Sequence, residues 1–345
     1  VAKETVGDGT SRGEFLARSA GVAGMAIGAG VWATGVAGLT AEAAEAAAAA
    51  TAPGPGGFAL ELDGILIGLL KSARGGHAYA DVVEEKLGVD HIAKKHLANL
   101  KYEDITIQIG FSMTKAIYDW IAASWASSYQ RKNGSIQAAN YKMEIKQVRE
   151  FFHALITETT IPACDASAKD PAYLTLKLAP EQTVSKAGSG KLKGTLNKNQ
   201  KKWVPSNFRL EIDGLPCKKV TKIDSFTVKQ TFGDSLGDTR EDEPGKLEIP
   251  NLRITFAESD VGPWAAWFDD FVIKGNSTDE SEKGGRLTFL APDRKKELAT
   301  IEFFNLGIFK LSSDKPEANA DKTKRVTAEL YVERMAFKYG SNVIG

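Results

Sequence analysis

The sequence predicts a mainly β chain with one helix per domain, an α+β architecture built from two tandem domains. Three observations carry this reading. The stretch FALELDG at 58–64 returns as FRLEIDG at 208–214, so that Phe58, Leu60, Glu61, Asp63 and Gly64 recur as Phe208, Leu210, Glu211, Asp213 and Gly214. Most apolar segments alternate with a period of two, which suits a strand with one buried face. In each half, one segment instead has its apolar residues at helical spacing and directly follows an alternating strand.

The bulk properties fit this reading. A chain of 345 residues makes about two domains the natural prior. With 43% hydrophobic and 26% charged residues it resembles an ordinary globular protein. The formal net charge is +0, which argues against a general electrostatic partner such as nucleic acid or acidic lipid. Cys164 and Cys217 form neither a metal motif nor a disulfide framework. They read as free thiols, with a single bridge as the alternative. Of the histidines His77, His91, His96 and His153, the pair His91 and His96 would sit on different faces of a helix. They read as surface or loop residues.

Residues 1–56 are a different kind of sequence. A short charged region (SRGEFLARSA, 11–20) precedes a weakly apolar run and then an alanine-rich tract ending in Pro and Gly. That is the layout of an export signal. Ser11, Arg12, Phe15 and Leu16 resemble a twin-arginine signal, but Gly13 stands where its second arginine belongs. Two other readings stay open. Residues 19–41 are long enough to cross a bilayer, although Gly21, Gly24, Gly28, Gly30, Gly35 and Gly38 weaken a helix there. The segment also reads as a disordered tail.

From residue 57 each element has a local reason. Phe58, Leu60 and Leu62 share one strand face, with Ala59, Glu61 and Asp63 on the other. Asp63-Gly64 is a hairpin turn signal, and Asp213-Gly214 repeats it. A second strand follows in each half, with Ile105, Ile107, Ile109 and Phe111 in one and Leu252, Ile254 and Phe256 in the other. The helix of the first half stripes Met113, Ile117, Trp120, Ile121 and Trp125; that of the second stripes Trp264, Trp267, Phe268 and Phe271. Pro263 fits the first turn, where its missing N–H costs nothing. Tryptophans so spaced read as core anchors.

After each helix the sequence predicts another hairpin turn, at RKNGSI (131–136, with Gly134) and KGGRLTF (283–289, with Gly285). EFFHALI (150–156) and EFFNLGI (302–308) then place Phe151 and Phe152 opposite their repeats Phe303 and Phe304. Each half closes on a strand, YLTLKLA (173–179) or RVTAELYVERMAFKY (325–339). In the latter the apolar face steps from Val332 to Met335, which predicts a bulge or bend. The stretch 185–203 has lysines and no acid and reads as a solvated linker. The predicted organisation is therefore a leader (1–56), a first domain (57–183), a linker (184–206) and a second domain (207–340).

The sequence contains no phosphate-binding glycine loop, no Gly-x-Ser-x-Gly elbow and no carboxylate run at metal-loop spacing. No cofactor, metal or catalytic residue is expected, and the chain reads as a non-enzyme.

These motifs, taken in order, resemble the tail-tube proteins of contractile phages, which have relatives in contractile injection systems and type VI secretion tubes. The resemblance rests on Phe58 to Gly64, Lys101 to Ile107, the helix around Trp120 and Ile121, and Arg131 to Ile136. It extends through Phe208 to Gly214, Trp267 and Gly284-Gly285. It implies two tail-tube-like β-barrel or sandwich domains whose sheets join edge to edge into a ring around a channel. With two domains per chain, three chains would make a pseudo-sixfold ring. The implied partners are further copies of the chain, and sheath, baseplate or cargo proteins, with no specific nucleic acid. In the family the region at 75–100 is typically a long extended hairpin or loop that contacts the next ring; here the stretch departs from that pattern, being rich in charge and in helix formers. The implied location is a phage-tail-like particle. It is the envelope or extracellular space if the leader acts as a signal, and a membrane if 19–41 is retained there.

Overall fold

The computed structural model describes residues 56–86, 93–111, 113–192, 203–232, 244–313 and 324–340. Ser11, Arg12, Phe15, Leu16, the apolar run 19–41 and His91 lie outside the described residues. All the described residues belong to one unit, 34–345.

In the first half, β1 (Gly57–Leu62) turns into β2 (Ile65–Leu70) at Asp63-Gly64, with φ of 48° and 82°. Two successive left-handed residues are what a tight hairpin turn requires. There follow β3 (Ser72–Gly75), β4 (Ala78–Lys86), β5 (Ala93–Tyr102), β6 (Ile105–Ile109) and helix α1 (Lys115–Trp125). The half continues with β7 (Lys132–Ala139), β8 (Ile145–Ile161), β9 (Cys164–Asp165), β10 (Leu174–Ala179) and β11 (Gln182–Ala187). The second half contains β12 (Phe208–Ile212), β13 (Val220–Ile223), β14 (Phe226–Phe232), β15 (Pro244–Glu248) and β16 (Leu252–Ala257). Helix α2 (Val261–Phe268), β17 (Lys283–Leu290), β18 (Glu297–Ser313) and β19 (Arg325–Tyr339) complete it. The α+β, mainly β class predicted from periodicity is the class observed.

The two large sheets share a strand order. The first runs β2-β1-β7-β8-β10-β6-β3, with β11 and β14 also on β8 and β15 on β14. The second runs β12-β17-β18-β19-β16-β13-β9. Thus β1, β7, β8, β10, β6 and β3 occupy the sequence of places held by β12, β17, β18, β19, β16 and β13. Irregularities coincide too. His153 and Asn305, each two residues after the first phenylalanine of the E-F-F motif, are both left-handed, with φ of 50° and 56°. Past each of them the register slips by one residue, at Thr157 in β8 and at Phe309 in β18. Each is a β-bulge that bends a long strand.

The halves also trade strands. Short β9 leaves the first half and pairs Cys164 with Ile223 and Asp165 with Lys222 in the second sheet. In return β14 joins the first sheet, pairing Phe226, Thr227, Val228 and Lys229 with Ile161, Thr160, Thr159 and Glu158.

Several expectations are corrected. Neither RKNGSI nor KGGRLTF is a turn, because Gly134 and Gly285 lie within β7 and β17. A Cβ on Gly134 would fall 2.4 Å from the Glu61 carbonyl oxygen and 2.5 Å from Phe151 Cζ. On Gly285 it would fall 2.9 Å from the Glu211 carbonyl oxygen. Glycine is needed there for close approach, not for a left-handed turn. The β7–β8 turn is instead built on Asn140, whose side-chain oxygen accepts from the N–H groups of Lys142 and Glu144, both at 3.0 Å. The Asp213-Gly214 turn leads into no second hairpin strand. A single bridge joins Ile212 to Leu215, and the next residue is Pro216, which has no N–H to continue a ladder. Ala59 is buried along with Phe58 and Leu60, so β1 has both faces covered there. In β19 the face step at Val332–Met335 lies opposite left-handed Asn305 and carries no register slip, while the bulge sits at Phe309 in β18. The Lys-rich stretch begins inside a strand: Val184 to Ala187 pair with Glu150 to Gln147. At its far end Trp203 is buried, and 193–202 lie outside the described residues.

Candidate assembly site

The residues singled out from sequence divide between a buried scaffold and a polar sheet face. Phe58, Trp120, Phe151, Trp267 and Phe303 are buried, while Phe152, Phe208 and Phe304 are half-buried. The Trp120 indole N–H donates to the Gln130 carbonyl at 2.7 Å, fixing the end of α1 to the start of β7. Trp267 does the same more loosely in the second half, donating to the Ser281 carbonyl at 3.3 Å. Phe304 carries the Arg334 guanidinium 3.7 Å above its ring.

The acidic members of the repeat lie on the solvated face. Glu61 accepts from Gln137 Nε2 at 3.1 Å, and Asp63 pairs with Lys132 at 2.8 Å. Glu211 pairs with Arg286, and the bond from that guanidinium holds the Glu211 carboxyl below the usual range. Across the same sheet Lys338 pairs with Glu302 at 2.6 Å, and Arg209 pairs with Glu297. Gly214 is left-handed, with φ of 72°, and Asp213 sits beside Gly284, where a Cβ would meet its carboxylate at 2.7 Å. The sequence residues therefore specify sheet and turn geometry. They are not brought together into one catalytic cluster. Among the described residues no group of three or more His, Cys, Asp or Glu side chains is placed to hold a metal ion. Cys164 and Cys217 are free thiols, and burial pushes the latter up to about 11.

The more informative site is the junction between the halves. The C-terminal end of β8 receives β14 along its edge. Beside it, α1 of the first half packs on β19 of the second. Tyr118 stacks on Tyr339 with centroids 4.2 Å apart, and Trp125 meets Phe337 edge-on at 5.7 Å. Tyr118 is fixed by its hydroxyl, which donates to the Gly110 carbonyl at 2.7 Å and accepts from the Met113 N–H at 3.1 Å. A second cluster lies on the boundary, where Phe111 stacks on Phe289 at 4.9 Å and Trp203 meets both edge-on. Sequence reading missed Tyr118, Trp203 and Phe289. Trp203 gave one usable signal, a lone large aromatic at the end of a polar, lysine-rich tract.

The β4–β5 hairpin stands apart as its own two-stranded sheet. Tyr79, Val82, Val83, Leu97 and Leu100 are exposed on it, which is unusual for apolar residues grouped on one element. Acid–base pairs such as Lys95–Glu84 at 2.7 Å run alongside. The stretch that reads in sequence as rich in helix formers is thus strand, β4 paired antiparallel with β5.

Residues 56–183 match the family of the T4-like virus tail tube protein gp19. Among solved structures, the chain is similar to one from an extracellular contractile injection system, the PVC sheath–tube complex in its extended state. That likeness has 21% identity and a TM-score of 0.36, and covers 43% of this chain and 99% of that one. It is also similar to the tube-terminating cap of the anti-feeding prophage, at 22% identity and a TM-score of 0.32, over 38% of this chain and 88% of that one. A third similarity is to the PVC sheath/tube terminator, at 22% identity and a TM-score of 0.33, over 38% and 93% of the two chains. No curated protein matches the chain. The matched segment spans β1 to β10 and most of the elements that build the first sheet. Among the described residues no helix is long and apolar enough to cross a membrane.

Proposed function

We propose that the chain is a structural subunit of a ring or tube with a central channel, within a phage-tail-like or contractile injection-type assembly. It works without a catalytic site or cofactor. Each chain supplies two tandem tail-tube-like domains, so three chains form a pseudo-hexameric ring. The observation that carries this reading is the shared strand order of the two sheets. It makes the second half a topological copy of a half that matches a tail tube family. Edge-to-edge closure has a physical motive, because an open sheet edge is a template for further pairing and a closed ring removes it. Sheath and baseplate proteins are the expected neighbours, and the channel would hold or conduct cargo.

Negative-stain electron microscopy with native mass measurement tests this. Rings or tubes with a central hole and three chains per ring are expected. Uniform single chains at high concentration would overturn it. A second reading, an exported or membrane-tethered envelope protein that uses the fold for binding, is favoured by Ser11, Arg12, Phe15 and Leu16 in the leader. It predicts monomers and a processed or membrane-bound N-terminus, which mass determination of the terminus would detect.

A further inference from the structure

The junction inside the chain has a second, open copy of each of its two sides. The first half contributes the end of β8 and helix α1, and the second half contributes β14 and the end of β19. By the shared strand order, the counterparts of β8 and α1 are β18 and α2. Those of β14 and β19 are β4 and the β10–β11 run.

The register makes the correspondence residue by residue. Glu158 follows the bulge at Thr157, and Lys310 follows the bulge at Phe309. The β14–β15 ladder slips after Gln230 and the β4–β5 ladder slips after Ala80, so Lys229 corresponds to Tyr79. Inside the chain Lys229 and Glu158 are register partners. Their counterparts Tyr79 and Lys310 have no such strand across from them among the described residues. β4 is paired only with β5, and past Ile308 β18 is paired only with β19.

Exposure changes in the direction this requires. Thr157, beside the covered edge, is 9% exposed, whereas Phe309 at the open edge is 41% exposed. Trp125, covered by the junction, is 4% exposed, whereas its counterpart Val272 after α2 is 39% exposed. On the other side Ala187, in β11, which by register is the counterpart of Tyr339, is exposed, and Tyr79 is exposed on β4. Apolar residues at an open strand edge are what a chain leaves for a partner of matching shape.

We propose that β18 from Phe309 to Ser313, together with Val272 and Ile273, docks head-to-tail on β4 and β11 of a second copy of this chain, repeating between chains the junction seen within one. This rests on the ring reading above and names its contact. The two sides are different surfaces, so the contact is heterologous and continues from chain to chain until a ring closes.

The test is disulfide trapping in the full chain carrying Cys217→Ser. Directly opposed residues of an antiparallel pair bring Cα atoms to about 4.5–5.5 Å, within disulfide reach. Tyr79→Cys with Lys310→Cys should give covalent multimers on oxidation, and each single substitution should give none through this contact. Glu158→Cys with Lys229→Cys is the internal control, crosslinking without change of mass. Phe309→Asp, at an exposed position, should raise the concentration needed for assembly by about tenfold or more, since truncating or charging a central apolar anchor costs that much. Rings seen by microscopy without the Tyr79–Lys310 crosslink, or with assembly unaffected by Phe309→Asp, would overturn the contact and leave the ring. Monomers alone at every concentration would overturn the ring reading itself.

Discussion

The ring of Tyr118 lies nearly parallel to that of Tyr339, with centroids 4.2 Å apart and an interplanar angle of 14°. One belongs to the helix of the first half and the other to the last strand of the second, so this stack ties the two halves of the chain. Burial raises the phenol of Tyr118 well above its usual value and pushes that of Tyr339 up to about 12.

A stability loss at high pH follows. In the unfolded chain these phenols titrate near about 10. A raised folded value means that the native state resists deprotonation, so its advantage is complete below about pH 10 and falls as pH rises toward 12. Urea unfolding at pH 8, 10 and 11 should show the decline. Tyr118→Phe should flatten it while costing about 1 kcal/mol at pH 8 for the lost hydroxyl bonds. A decline unchanged in that variant would assign the effect to other groups.

Gly134→Ala should destabilise the chain by about 1–3 kcal/mol, because the added carbon meets backbone and ring atoms with no room to move. Gly57→Ala is the matched control. Nothing lies within 4 Å of a Cβ there, and a change within about 0.5 kcal/mol is expected. Chemical denaturation of the two variants side by side decides whether close approach or turn geometry selects Gly134.

Trp203→Ala should cost about 3–5 kcal/mol, the usual range for deleting a fully buried large aromatic. It removes the edge contacts to Phe111 and Phe289 and the bond from its indole to the Asn207 carbonyl at 2.9 Å. Because those rings bridge the halves, limited proteolysis should then release half-chain fragments faster than from the parent protein.

Glu211→Gln should change stability by less than about 1 kcal/mol at neutral pH. Its pairing with Arg286 is solvent-exposed, with both side chains about half accessible, and such pairs contribute little. A thermal shift of several degrees would contradict this. It would then be necessary to treat the charged sheet face as structural.

The features legible in the amino-acid sequence alone are local and periodic. Alternation placed β1, β6, β10, β12 and β16, helical spacing placed both helices, and the doubled Phe-x-Leu-Glu-x-Asp-Gly stretch marked where each half begins. Asp63-Gly64 was read correctly as a turn because two left-handed residues in succession demand such a pair. Asn133-Gly134 was misread because glycine permits both a tight turn and a close approach, and only the position of Phe151 and of the Glu61 backbone separates them. The remaining features depend on packing between distant segments. Tyr118 falls beside the helical stripe, and its partner Tyr339 lies at the far end of the chain, so no local pattern could pair them. The exchange of β9 and β14 between sheets likewise depends on edges that exist only once both sheets have formed. Periodicity reports which face of an element is buried; which surface covers it is set by packing between segments distant in sequence.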